Sequence, residues 1–447
     1  MPEKPVTLIV SDLHIGGGPT DPGEDHVCDR DQFASFVTEQ SNTPDGENGQ
    51  IELFINGDFL EFAQSKQEIY TLNSSEYWCS EQESLAKLTY ILEGHPKLFE
   101  SLRVFQKRGN VVTVAAGNHD IDFVWPKVRK KLCEVAGPVQ FESNATWYSR
   151  YNGRLLIGHG HMFDPANAFP HWDNPILQYT HAEQRLEMCP GTLFMVKFVN
   201  WLENKYPFAD NIKPVTALRQ ILWKENKWDL TVVGWMMLQF SLTEPSAALS
   251  SENSPITTGK DLVERLQWDK TFQQNVIKLF QETSPTVLAD KQILESVNTP
   301  ETMSQFLYYA MARVSMDRWL KVFEGVQGTS LGSPDDLSLA IKKAGTMNDK
   351  EELRRQAAEQ LASGKGHQVV VLGHTHQPDD HTTTHGRYFN PGSWTRYLEF
   401  ERLSSVTLKD LKHEENFPYQ LNFVRVQEAS GSPKLGANMH CFAEQSA

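Results

Sequence analysis

Five short apolar runs, rich in Val, Ile and Leu, break off abruptly into polar residues along this chain. They are Val6-Thr7-Leu8-Ile9-Val10, Ile51-Glu52-Leu53-Phe54-Ile55, Val111-Val112-Thr113-Val114, Arg154-Leu155-Leu156-Ile157 and Gln368-Val369-Val370-Val371-Leu372. Their length and β-branching predict buried strands. Between the early runs, residues 31–40, 81–108 and 123–136 carry helix-like patterning. Strand–helix alternation of this kind predicts an α/β architecture with the strand ends gathered at one edge.

From about residue 164 to 364 the pattern changes. Aromatics are frequent, strand runs are few, and residues 194–204, 232–240, 260–280 and 302–323 read as packed helices. The expected organisation is a core in two pieces, residues 1–163 and 365–428, split by a mostly helical insertion or cap over 164–364. Residues 429–447 read as a loosely held polar tail. The length of 447 residues agrees, since domains run to about 100–200 residues each. Asn390-Pro391-Gly392-Ser393 reads as a turn, and His381 and His385 as flanking an exposed hairpin.

The chemistry sits where the runs end. Asp12-Leu13-His14 follows the first and Gly57-Asp58 the second. Gly117-Asn118-His119-Asp120 follows the third, Gly158-His159-Gly160-His161 the fourth and Gly373-His374-Thr375-His376 the fifth. Ligands of open α/β sheets bind outside the carboxyl ends of the strands. A lone Asp-x-His is most often a turn beside a surface histidine. Five such packets at five successive strand ends make that account improbable. Carboxylate, imidazole and amide oxygen without thiolate suit divalent ions, with Mn²⁺ foremost and Fe, Zn²⁺, Co²⁺ or Ni²⁺ as alternatives. Seven ligands are too many for one ion, and Asp58 is placed to bridge two, which would lie about 3.5–4 Å apart.

Charge and cysteines narrow the class. A formal net charge of -15 argues against a surface that grips nucleic acid through phosphates. Bound cations would still invert the field locally for a phosphate-bearing substrate. The start of the chain has no signal-peptide pattern, and no run reaches the roughly 18 apolar residues of a membrane span. Five scattered cysteines without a CxxC pair favour reduced thiols and a cytoplasmic setting.

The ordered set Asp-x-His, Gly-Asp, Gly-Asn-His-Asp, His, Gly-His-x-His resembles the calcineurin-like metallophosphoesterase superfamily, over residues 6–162 and 368–400. The resemblance implies a four-layer αββα sandwich of two mixed sheets, here with a large helical cap insertion. It implies Asp12, His14 and His376 at one metal and Asn118, His159 and His374 at the other, with Asp58 shared. It further implies a metal-bridging hydroxide as nucleophile, His119 as proton donor to the leaving oxygen, and Asp120 orienting His119. His161 is expected as an outer support of the ligands. The opening Ser11-Asp12-Leu13-His14-Ile15-Gly16 is also similar to the branch of UDP-diacylglucosamine hydrolases, which often carries Arg where this chain has His119. The expected activity is hydrolysis of a small or medium phosphodiester or phosphomonoester. The alternatives are a non-catalytic protein-binding scaffold on the same fold, or a metal-dependent nuclease.

Overall fold

The computed structural model describes residues 4–18, 31–66, 79–164, 167–178, 184–189, 191–192, 195–203, 205–209, 211–213, 221, 349–399, 406–429 and 433–445. The chain divides into two compact units, Met1–Val215 with Asn348–Ala447, and Thr216–Met347. The first unit thus takes in residues 164–215 and 348–364 as well as the strand-bearing segments. The helices expected at 232–240, 260–280 and 302–323 lie outside the described residues.

Two mixed sheets form the first unit. One runs β15 (Leu435–Gln445), β14 (Tyr419–Glu428), β1 (Val6–Val10), β2 (Ile51–Asn56), β3 (Val111–Ala115), β4 (Gln140–Phe141). Its β1–β4 neighbours are parallel, and β14 is antiparallel to both β1 and β15. The other runs β11 (Asp379–Thr382), β12 (Arg387–Asn390), β10 (Val369–Val371), β6 (Leu155–Ile157), β5 (Tyr148–Arg150). There β6, β10 and β12 are parallel, and the edge strands β5 and β11 antiparallel. Two small sheets pair β7 (Ile176–Gln178) with β8 (Gln184–Leu186), and β9 (Ile212–Lys213) with β13 (Leu398–Glu399).

Side-chain alternation along the strands sorts the core into layers. Leu8, Val10, Leu53, Ile55, Val112 and Val114 face the helices Gln32–Ser41, Glu81–Gly94, Pro96–Lys107 and Pro126–Ala136 through Phe33, Leu88, Phe99 and Leu132. Ile9, Phe54 and Ala115 point the other way and meet Leu155, Ile157, Val369 and Val371 of the second sheet. Leu156 and Val370 face outward again, onto Leu353, Ala357 and Leu361 of the helix Asp349–Ala362. The order helix, sheet, sheet, helix is the expected four-layer sandwich, and burial on both faces explains the continuous apolar runs.

Two local expectations are corrected. The helix pattern over 81–108 is two helices, because Pro96 lacks an N–H and disfavours helical geometry in His95 before it. The final stretch is not a loose tail: β15 pairs with β14 along its length. Leu435, Ala437 and Met439 pack between the sheets. The register shifts at Leu421/Asn422, leaving Phe442 as an extra residue. Phe442 thereby turns to the other face, against Phe36 and Trp394.

Candidate metal centre

The ends of both sheets are stitched together through the loops that carry the candidate ligands. Asp12 N–H donates to the Gly57 carbonyl (3.2 Å) and His14 N–H to the Asp58 carbonyl (2.9 Å). Across the sandwich, His374 N–H donates to Asp12 Oδ2 (3.0 Å), and Trp394 N–H to the Asp12 carbonyl (3.0 Å). The Asn56 amide donates to the Gly158 carbonyl (2.8 Å), and the Asn390 amide in the turn behind the loops donates to the Gly373 carbonyl (2.9 Å).

Backbone conformation marks the same residues. Among the described residues eight non-glycine positions have positive φ, and five of them are Asp12 (56°), His14 (44°), Asp58 (50°), His374 (69°) and His376 (60°). Left-handed backbone in L-residues is uncommon and collects where function over-determines it. Two glycines are required by close approach: a Cβ at Gly117 would stand 2.1 Å from Asp58 Oδ1, and one at Gly373 2.7 Å from Asp12 Oδ2.

The side chains gather into overlapping groups. Asp12, His14 and His376 present ligand atoms within 4.8 Å of one another, and so do Asp58, His159 and His374. In the first group His14 Nε2 lies 3.1 Å from His376 Nε2, and His376 Nε2 lies 3.4 Å from Asp12 Oδ1. Asp58 Oδ2 stands between the groups, 3.7 Å from His14 Nε2 and 3.1 Å from His159 Nε2. His159 Nδ1–H donates to the Asn56 carbonyl (2.8 Å), which directs Nε2 inward. Asn118 lies beside the second group, tied to it by side-chain hydrogen bonds through Asn167 and Asp164.

The donor set fits divalent cations on two observations. Among the described residues, Asp12 Oδ1, Asn118 Oδ1 and His374 Nδ1 are buried without a hydrogen-bond partner, a cost of about 1–3 kcal/mol each unless something binds them. The electrostatics agree. Burial pushes the Asp58 carboxyl up, but His159, His119 and His14 outweigh it and hold Asp58 well below the usual carboxylate range. Burial pushes His159 down, and Asp58 and Asp12 reverse that, carrying it up to about 10. Carboxylates that hold a proton there so tightly would hold a divalent cation in its place.

His119 lies at the open side, with 13% of its side chain exposed. Its partner corrects the expectation for Asp120. Both Asp120 oxygens accept backbone N–H groups, from Phe59 (2.7 Å) and Gly117 (2.6 Å), and so brace the loops. Burial, then the nearby Asp58, raises its carboxyl to about 7. The carboxylate that meets His119 is Glu61, whose Oε1 lies 3.0 Å from His119 Nδ1 while Oε2 lies 2.7 Å from His14 Nδ1. Burial pushes Glu61 up, but His119 and His14 bring it far below its ordinary value. The signal for Glu61 was its place three residues after Asp58 in one strand-end loop. His161 is buried with no hydrogen-bond partner among the described residues on either ring nitrogen, packed edge-to-face on Trp172 at 4.3 Å. Burial, with His159 and His374 nearby, holds it well below the ordinary histidine value.

The comparisons with known proteins meet this geometry at one end of the chain. Residues 320–413 match a family model described as the calcineurin-like phosphoesterase superfamily domain. The matched stretch includes His374, His376 and the Asn390 turn. No curated protein matches the chain.

Proposed function

The chain carries a calcineurin-like phosphoesterase superfamily domain, and from that premise we propose that it is a two-metal hydrolase of a small or medium phosphodiester or phosphomonoester. The observation that carries the reading is the meeting of two ligand groups at one shared carboxylate, Asp58, between positive-φ loops from both sheets. Asp12, His14 and His376 would hold one ion and Asn118, His159 and His374 the other. When bound, the ions activate water near neutral pH and neutralise charge at phosphorus.

The protein's own groups supply the rest. Glu61 accepts from His119 Nδ1–H, favours the imidazolium, and leaves Nε2 as the ring position that passes a proton to the leaving oxygen. The same carboxylate holds His14 Nδ1–H, so one buried group sets both a ligand and the proton donor. Asp120 keeps the Asp58 and Asn118 loops in register. The charge of -15 supports a compact ester over a nucleic-acid polymer. None of the described helices is long and apolar enough to cross a membrane. With Cys79, Cys133, Cys189 and Cys441 unbridged, a cytoplasmic setting is the proposed compartment.

The test is metal content together with turnover of paired aryl phosphate monoesters and diesters in Mn²⁺. Two ions per chain with hydrolysis of either ester supports the proposal. No bound ion and no hydrolysis overturns it in favour of a protein-binding scaffold.

A further inference from the structure

Asp164 and Asn167 lie outside every strand-end packet, in the turn that follows the 3₁₀ segment His161–Phe163. The turn is closed by its own backbone: the N–H groups of Asn167 (2.9 Å) and Ala168 (2.8 Å) both donate to the Asp164 carbonyl. From it two side chains reach the second ligand group. Asp164 Oδ2 lies 3.1 Å from His374 Nε2. Asn167 accepts the Asn118 amide at Oδ1 (3.3 Å) and donates its own amide to Asp164 Oδ2 (2.5 Å). Cys189 Sγ also approaches Asn167 Oδ1 at 3.7 Å, which fixes which way that amide faces.

The pattern at the far ends of these contacts is consistent. His374 has Nε2 engaged by Asp164 and Nδ1 buried without a hydrogen-bond partner among the described residues. Asn118 has Nδ2 engaged by Asn167 and Oδ1 likewise without a hydrogen-bond partner among the described residues. An imidazole that donates through Nε2 must carry its lone pair on Nδ1, and an amide that donates its NH₂ one way must present its oxygen another. One carboxylate–amide pair therefore selects the tautomer of one candidate ligand and the rotamer of the other. The other imidazoles are oriented from elsewhere: His14 of the first group by Glu61, and His159 of the second by the Asn56 carbonyl.

We propose that Asp164 and Asn167 are positioning residues that together set the affinity of the second metal position, held by Asn118, His159 and His374, and leave the first unaffected. The inference rests on the two-metal reading above. Outer partners of ligands are worth about 10–100-fold in metal affinity. Their loss here falls on one ion of two.

The experiment is Mn²⁺ titration of the full-length chain by calorimetry, with bound metal counted after gel filtration. The variants are Asp164→Ala, Asp164→Asn and Asn167→Ala, with His374→Ala and His376→Ala as markers of the two positions. Wild type binds two ions. Asp164→Ala weakens one of them by about 10–100-fold, Asn167→Ala weakens the same ion less, and Asp164→Asn falls between because it keeps an acceptor for His374. Combined with His374→Ala, Asp164→Ala has no further effect; combined with His376→Ala, the first ion is lost and the second is weakened by the same factor as in Asp164→Ala alone. Loosening of the whole protein would weaken both ions together, and that result, or two wild-type constants in Asp164→Ala, overturns the proposal. If Asp164→Ala does not fold, Asn167→Ala and Asp164→Asn carry the same comparison. A folded wild-type chain that binds fewer than two ions overturns the two-metal reading itself and this inference with it.

Discussion

Around His14 the outer support comes from the strand-end loops themselves, since Glu61 follows Asp58 by three residues and reaches His14 and His119 together. Around His374 and Asn118 it comes from a separate turn, through Asp164 and Asn167. The first arrangement is local: a loop that places Asp58 also places Glu61. The second depends on a turn docking from elsewhere in the chain. On the proposed assignment, metal affinity at the second position could accordingly be tuned without touching a ligand, whereas at the first the support and the proposed proton donor share one carboxylate.

The comparison breaks most completely at the group both halves share. Asp58→Asn should bring metal content from two ions to one or none and turnover to background; retention of both ions would show that Asp58 does not bridge. Next in size is His119→Ala, expected to slow hydrolysis of alkyl esters by about 10²–10⁴-fold with metal content unchanged. Aryl esters with good leaving groups should lose far less, and an equal loss on both would remove His119 as proton donor. Glu61→Gln should then weaken the first position by about 10–100-fold and slow turnover of alkyl esters, while the second ion stays in place. Calorimetry on this variant is the mirror of the Asp164 series.

A change in stability alone, with turnover and metal binding left as they are, is expected behind the site. Asp122 accepts from the Ser84 hydroxyl (2.5 Å), and burial raises its carboxyl from 3.8 to about 6, against the opposing pull of Lys87. A raised carboxyl binds its proton more tightly in the folded chain, so its contribution is greatest below pH 3.8 and is lost as pH rises towards 6. Two pH units correspond to about 3 kcal/mol. In metal-free protein, the stability of wild type relative to Asp122→Asn should fall by about that much across this window, read from paired urea melts. A flat difference would place Asp122 in contact with water.

The parts of the fold and site that could be read from the sequence are those with a local cause. The unbroken run Leu8-Ile9-Val10 already marks a strand buried on both faces, with Leu8 and Val10 meeting one layer and Ile9 the other. The glycines before Asp58, Asn118, His159 and His374 announce backbone that must approach closely. Glu61 was available by spacing, but Asp120, adjacent to His119, drew attention instead; adjacency in sequence says little where the chain turns sharply. Asp164 and Asn167 carried no signal, because a carboxylate and an amide in a polar turn gain meaning only from what docks against them. The strand β15 was hidden by Gly431, Ser432 and Pro433 before it and by the bulge that breaks its alternation at Phe442.

The spread of the ligands along the chain has a consequence for how the protein is made. The proposed first position needs His376 as well as Asp12, and the second needs His374 as well as Asp58. Neither can close on a ribosome until His374 and His376, more than 300 residues beyond Asp12 and Asp58, have been translated. Metal loading at the proposed positions would thus follow translation of both sheets. Until then Asp12, Asp58 and His159 would wait as separate weak sites, and capture of both proposed ions would mark a chain whose two sheets have met.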